Sequence, residues 1–212
     1  MPESEHATPK ICLAWTGASG MPYGLRLLEA LLAANCHVQL VYSQAAQIVA
    51  QQEMALALSS RPEETRSLLL ERLLKQSPNL PGALEVYGRE AWFSPIASGS
   101  NPPDAMVICP CSMGTLASVA QGLSDNLIER AADVVLKEGR KLVIVPRESP
   151  FSVIHLENML RLARAGAVIL PPSPGFYHHP QTVNDLVDFV VARILDQLRI
   201  PHTLMQPWGS SS

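Results

Sequence analysis

Lys141 to Pro150 reads KLVIVPRESP: an apolar strand that delivers an arginine and a glutamate side by side, bracketed by two prolines. A strand this apolar has no face suited to water, which predicts burial on both faces as in a parallel sheet. Whatever follows it then lies at the sheet's carboxyl edge, where open α/β folds bind ligands. Pro146 and Pro150 stiffen the turn. Arg147 is a permanent, fork-shaped cation suited to phosphate, and Glu148 beside it can carry a proton to or from a bound group. The plain alternative is a surface ion pair capping the next helix.

Working outward, the same alternation recurs along the chain. Ile11 to Thr16 predicts a first buried strand, followed by the small-residue turn Gly17-Ala18-Ser19-Gly20 and a helix from about Pro22 to Ala34. Val38 to Tyr42 predicts a second strand ending at Ser43, with a helix over Ala45 to Leu58. A further helix over Pro62 to Gln76 carries leucines at 68, 69, 70, 73 and 74, a stripe suited to the core or a subunit contact. Pro78 to Pro103 is proline-rich loop around a short strand at Leu84 to Tyr87. Ala105 to Cys109 is the next strand, and Ser112 to Thr115 open a helix. Asp125 to Glu138 forms another helix, terminated at Gly139. Strand 141–145, helix 152–165, strand 167–170, a proline-rich loop to Pro180 and a helix over Val183 to Leu198 complete the order. The expected fold is a three-layer α/β domain of the Rossmann or flavodoxin kind, one domain over residues 1–212, with flexible ends at 1–9 and 202–212.

Composition sets the partners. A formal net charge of -3 leaves no electrostatic footprint for nucleic acid or an anionic membrane. Hydrophobic residues make up 47% and charged residues only 17%, a thin charged coat that predicts coverage by other subunits. No apolar run of membrane-spanning length and no basic-then-apolar leader is present, so a cytoplasmic protein is expected. Cys12, Cys36, Cys109 and Cys111 lie in or beside predicted strands, which argues for free thiols. Cys109-Pro110-Cys111 lacks a second ligand pair with metal spacing, so no metal is expected. His178-His179 reads as a solvated loop pair, and His155 as a core or capping histidine.

Three segments share one design: an apolar strand running into small hydroxyl or glycine residues at a helix start, at Thr16 to Gly20, Ser43, and Ser112 to Thr115. Backbone N–H groups, the positive helix end and Ser/Thr hydroxyls make such turns anion sites, and a nucleotide is the natural guest. Ordinary helix caps are the plain alternative. Gly17, Gly20 and Gly24 have the wrong spacing for the dinucleotide fingerprint, and no Gly-Lys-Ser/Thr appears, which demotes NAD and ATP. No G-x-S-x-G elbow and no paired acidic motif for magnesium is present. Arg130 and Lys137, seven residues apart on one helix face, can both reach an anion or else pair with Glu129, Asp133 or Glu138. Tyr177 stands in the loop after the last strand, Arg193 on an apolar helix with Asp196 as its cheap partner, and Trp92 beside the loop Ala97 to Ser100.

These residues resemble the flavin prenyltransferases of the UbiX type. The resemblance runs through TGASG at 16–20, SQAA at 43–46, ASGS at 97–100, MVICPCSMGT at 106–115 and DNLIERAADVVLKE at 125–138. It continues in PRESPF at 146–151, IHLENML at 154–160 and PGFYHHPQTVNDLVDFVVARILD at 174–196. It implies a metal-independent enzyme that joins a dimethylallyl group from dimethylallyl monophosphate to reduced FMN, giving prenylated FMN for a UbiD-type decarboxylase. It implies Gly17, Ala18, Ser19, Ser43, Ser112, Met113, Gly114, Thr115 and Arg147 as FMN contacts. Ser19, Glu148, Lys137, Tyr177 and Arg193 become the catalytic and donor-phosphate set, with Arg130 and Trp92 lining the pocket. It also implies a homododecamer with sites between subunits. Many relatives read KERR where this chain has Lys137-Glu138-Gly139-Arg140. A flavin-dependent cysteine decarboxylase and a flavin-carrying chaperone are the rival readings.

Overall fold

The computed structural model describes residues 8–206 and 209. Among them, six parallel strands form one sheet in the order β3-β2-β1-β4-β5-β6. The strands are β1 (Lys10–Trp15), β2 (His37–Tyr42), β3 (Ala83–Tyr87), β4 (Ala105–Cys111), β5 (Lys141–Pro146) and β6 (Val168–Ile169). The helices are α1 (Met21–Ala33), α2 (Gln44–Met54), α3 (Pro62–Gln76), α4 (Met113–Ala120), α5 (Leu127–Lys137), α6 (Val153–Arg164) and α7 (Val183–Leu198). The strand order reverses between β1 and β4, the switch point at which doubly wound sheets open a crevice.

The period-2 geometry of the strands splits the core into two layers. Ile11, Leu13 and Trp15 of β1, with Val143 and Val145 of β5, face α1, α7 and the leucines of α3. Cys12 and Ala14, with Leu142 and Ile144, face α4, α5 and α6. Every residue from Leu142 to Pro146 is buried, as the opening stretch predicts. At Gly24 of α1 a Cβ would meet the Cys109 carbonyl at 2.7 Å and Trp15 Nε1 at 2.8 Å. Glycine there lets α1 lie close against β1 and β4.

Two boundaries differ from expectation. α2 stops at Met54 because Ala55 turns left-handed, φ 49°, which lets Leu56 and Leu58 enter the core from an extended segment. β4 runs two residues beyond Cys109, through Pro110. Proline has no N–H to donate, but its carbonyl is in use here, accepting from Thr16 N at 3.2 Å and Thr16 Oγ1 at 2.9 Å. α5 ends as expected, with Gly139 at φ 64°. Of the expected flexible ends, residues 1–7, 207–208 and 210–212 lie outside the described residues. Residues 202–206 carry no helix or strand, and Leu204 packs against the core.

Candidate active site

Thr16 fastens the switch point. Its hydroxyl donates to the Pro110 carbonyl and accepts from Ser112 N at 2.7 Å, tying the ends of β1 and β4 together. The turn 17–20 is drawn against the start of α2, so closely that a Cβ on Gly17 would collide with that of Ala45. Ser43 and Ser112 each cap a helix, accepting from Ala46 N at 3.1 Å and Thr115 N at 3.3 Å. The capping and anion-binding readings coexist: the Ser43 hydroxyl accepts through a lone pair and keeps its proton for a ligand, while Ser112 donates its own to Thr115 Oγ1 at 3.1 Å and leaves the Thr115 proton to face one. Met113 is buried, while Gly114 is exposed and has space around it.

From β5, Arg147 N donates to the Cys111 carbonyl at 3.1 Å, and Arg147 Nε reaches across the switch point to the Ser19 carbonyl at 3.2 Å. Arg147 and Glu148 are both exposed, and Glu148 Oε1 accepts from Ser149 N. Arg147 is therefore turned across the switch point, and Glu148 stands exposed beside it. The pair does not cap α6, whose N-terminus is closed by Ser152 and His155 in a reciprocal capping box.

Sequence reasoning missed Glu53. The last turn of α2 brings its carboxylate to the N-terminus of α1, where Oε2 accepts from Gly20 N at 3.0 Å and Met21 N at 2.8 Å. Those two amides are therefore taken by an internal anion, and the turn is only in part an open cradle. Partial burial pushes the Glu53 carboxyl up, but the Ser19 hydroxyl, the two amides and Arg147 outweigh it and hold the group below its usual value. Glu53, Ser19 and Arg147 thus form one electrostatic unit. Gln51-Gln52-Glu53 reads in sequence as a polar helix end, and only the packing of α2 against α1 shows otherwise.

The remaining predicted residues do not join this cluster within one chain. Arg130 donates to the Ala97 carbonyl at 3.0 Å and pairs with Asp133 at 2.8 Å, while Lys137 pairs with Glu138 under the Gly99 backbone. Trp92 is exposed on the preceding loop. Lys137 precedes β5 and Glu148 follows it, so the strand's length of about 17 Å stands between them. Tyr177 and Arg193 form a third group around a cavity of about 410 Å³. Arg193 lies more than halfway down α7, paired with Asp196 at 2.7 Å. His178 also departs from expectation. Its ring stacks on Phe189, with centroids 5.3 Å apart, and both ring nitrogens are buried without hydrogen-bond partners.

All four cysteines are free and buried, and burial pushes each thiol up, Cys36 to about 11 and Cys12 to about 12, which leaves them unreactive as thiolates. Among the described residues no group of three or more His, Cys, Asp or Glu could hold a metal ion, and no helix is long and apolar enough to cross a membrane.

A doubly wound sheet with hydroxyl-lined turns and an arginine converging on its switch point defines a protein of the nucleotide-binding α/β class. Comparison with known proteins narrows the class. Residues 1–195 match the family model described as Flavoprotein. The flavin prenyltransferase UbiX of Pseudomonas aeruginosa is 56% identical over 200 residues, covering 94% of each chain. AnUbiX (PadA1), solved in complex with FMN and dimethylallyl pyrophosphate, superposes with a TM-score of 0.84 at 38% identity, covering 97% of this chain and 100% of its own. A dodecameric FMN-dependent UbiX-like decarboxylase from Escherichia coli O157:H7 superposes with a TM-score of 0.82 at 42% identity, covering 95% and 100%. The chain belongs to the flavoprotein family, among the flavin prenyltransferases of the UbiX type.

Proposed function

We propose that this protein transfers a dimethylallyl group from dimethylallyl monophosphate to reduced FMN, and that the product serves a UbiD-type decarboxylase. The observation that carries the reading is the delivery of Arg147 and Glu148 by β5 to the switch point, with Arg147 already on the Ser19 carbonyl. The residues there fit FMN. Ser43, Ser112 and Thr115 offer hydroxyls at positive helix ends, Arg147 a fixed cation, and Gly17, Ala18, Met113 and Gly114 a surface of small or buried side chains. Reduced FMN would supply the nucleophilic central-ring nitrogen and the neighbouring benzenoid carbon.

This chain's own residues do the rest. The allylic C–O bond breaks with its electron pair leaving on phosphate, so the developing negative charge needs fixed donors. Lys137, Arg193 and the Tyr177 hydroxyl stabilise it, and Glu148 moves a proton to or from the phosphate. Glu53 acts one step back, holding Ser19 and the α1 terminus in place. Trp92 and Arg130 line the flank that carries Lys137. Because Lys137 and Glu148 stand about a strand's length apart in one chain, the site is completed by a second copy in a homo-oligomer, as a dodecamer of this kind allows. The apolar side chains of Val153, Ile154, Leu156 and Leu160, exposed along α6, are suited to such contacts. Turnover with the monophosphate and the diphosphate in parallel tests the donor: the monophosphate is expected to react faster, and equal or reversed rates would change its assignment.

A further inference from the structure

Resting on the reading that Arg193 takes the donor phosphate, we propose that Asp196 and His202 are positioning residues that set the angle of the Arg193 guanidinium. Asp196 lies three residues beyond Arg193 on α7. Its Oδ2 accepts from Arg193 Nη1 at 2.7 Å, and its Oδ1 is 3.0 Å from His202 Nε2. His202 reaches that point because the chain reverses after α7. Arg199 is left-handed at φ 58°, Ile200 buries, and the segment folds back so that the His202 side chain is only 14% exposed. Tyr177, Phe189, Arg193, Asp196 and His202 line the same cavity of about 410 Å³.

A lone arginine–aspartate pair three residues apart at an exposed site is loosely held. Here the second carboxylate oxygen is engaged from another segment, so the carboxylate cannot rotate without losing a partner. Asp196 takes one terminal nitrogen of a guanidinium that carries five N–H groups, which leaves the rest of the fork to meet a phosphate. His202 Nδ1 is buried and unpartnered, so the Nε2 hydrogen bond is the ring's anchor. His202 itself touches no substrate.

The test titrates the oligomer loaded with oxidised FMN, which cannot turn over, with dimethylallyl monophosphate in a calorimeter, and follows with KM and kcat under reducing conditions. His202→Ala is expected to raise the donor Kd and KM about three- to tenfold, the size of one hydrogen bond, and to lower kcat by no more than that factor, with FMN affinity unchanged. His202→Gln, whose amide N–H can reach the same oxygen, is expected to restore most of the loss. In an Arg193→Leu background, His202→Ala is expected to add nothing, since a positioning residue acts only through its target. A wild-type donor Kd in His202→Ala, or the same loss with and without Arg193, overturns the inference while leaving Arg193 as a donor ligand. An unchanged donor Kd in Arg193→Leu removes the parent reading, and this one with it.

Discussion

Glu148 carries the most weight of any single residue in the proposed chemistry; its place beside Arg147 at the end of a buried strand marks it as a candidate, with a surface ion pair as the plain alternative. Glu148→Gln keeps volume and hydrogen bonding but removes the titrating proton. FMN binding is expected to persist while single-turnover prenylation slows by about two to four orders of magnitude. Rapid-quench kinetics would measure this, and a wild-type rate in a folded, flavin-loaded variant removes Glu148 from the chemistry. Glu53 is the complementary case, a residue whose role depends on where α2 lands. Its carboxyl is held below its ordinary value, so the native state binds that proton less tightly than the unfolded chain. The stability it contributes is complete above the ordinary glutamate value of about 4.3 and is lost as pH falls through the lower native value. Denaturant midpoints of wild type and Glu53→Gln should therefore differ most near neutrality and converge in acid. A difference independent of pH would deny Glu53 its charged role.

Among the elements, β1, β4, β5 and their helices were readable because burial on both faces leaves near-continuous apolar runs, and hydroxyls or glycine mark the helix starts. What misled was punctuation whose effect depends on a partner. Pro110 looks like the end of a strand until its carbonyl is seen to receive Thr16, and the helical pattern through Ala55 to Leu58 yields because the core takes Leu56 and Leu58 from an extended chain. Gly24 makes the same point as a prediction. Helix propensity alone gives Gly24→Ala a gain of about 1 kcal/mol, but the added methyl meets a backbone carbonyl at 2.7 Å that cannot move away cheaply. Overpacking at such a site costs about 1–3 kcal/mol, so net destabilisation is expected in urea unfolding. A stabilised Gly24→Ala would mean that α1 does not sit as close to β4 as described.

At the scale of the whole molecule, the sequence made the residue types legible but not their distances. Arg130 and Lys137 share a helix face in the motif, yet they lie on a different flank from Glu148, and Arg193 lies well down α7. One chain therefore holds the proposed site residues in three separate groups, which is the physical reason to expect that copies complete one another. Mixing Lys137→Ala with Glu148→Gln, each inactive alone, and allowing subunits to exchange should restore activity. For sites drawing one residue from each of two copies, a 1:1 mixture approaches about a quarter of the wild-type rate. Continued inactivity, with mixed oligomers verified by native mass spectrometry, would place the site within one subunit. The central claim is the transfer itself. The most direct measurement incubates the protein with reduced FMN and dimethylallyl monophosphate under anaerobic conditions and weighs the released flavin. A gain of one five-carbon unit, with one phosphate released per flavin modified, is predicted. Recovery of unmodified FMN from folded, flavin-loaded protein would contradict it.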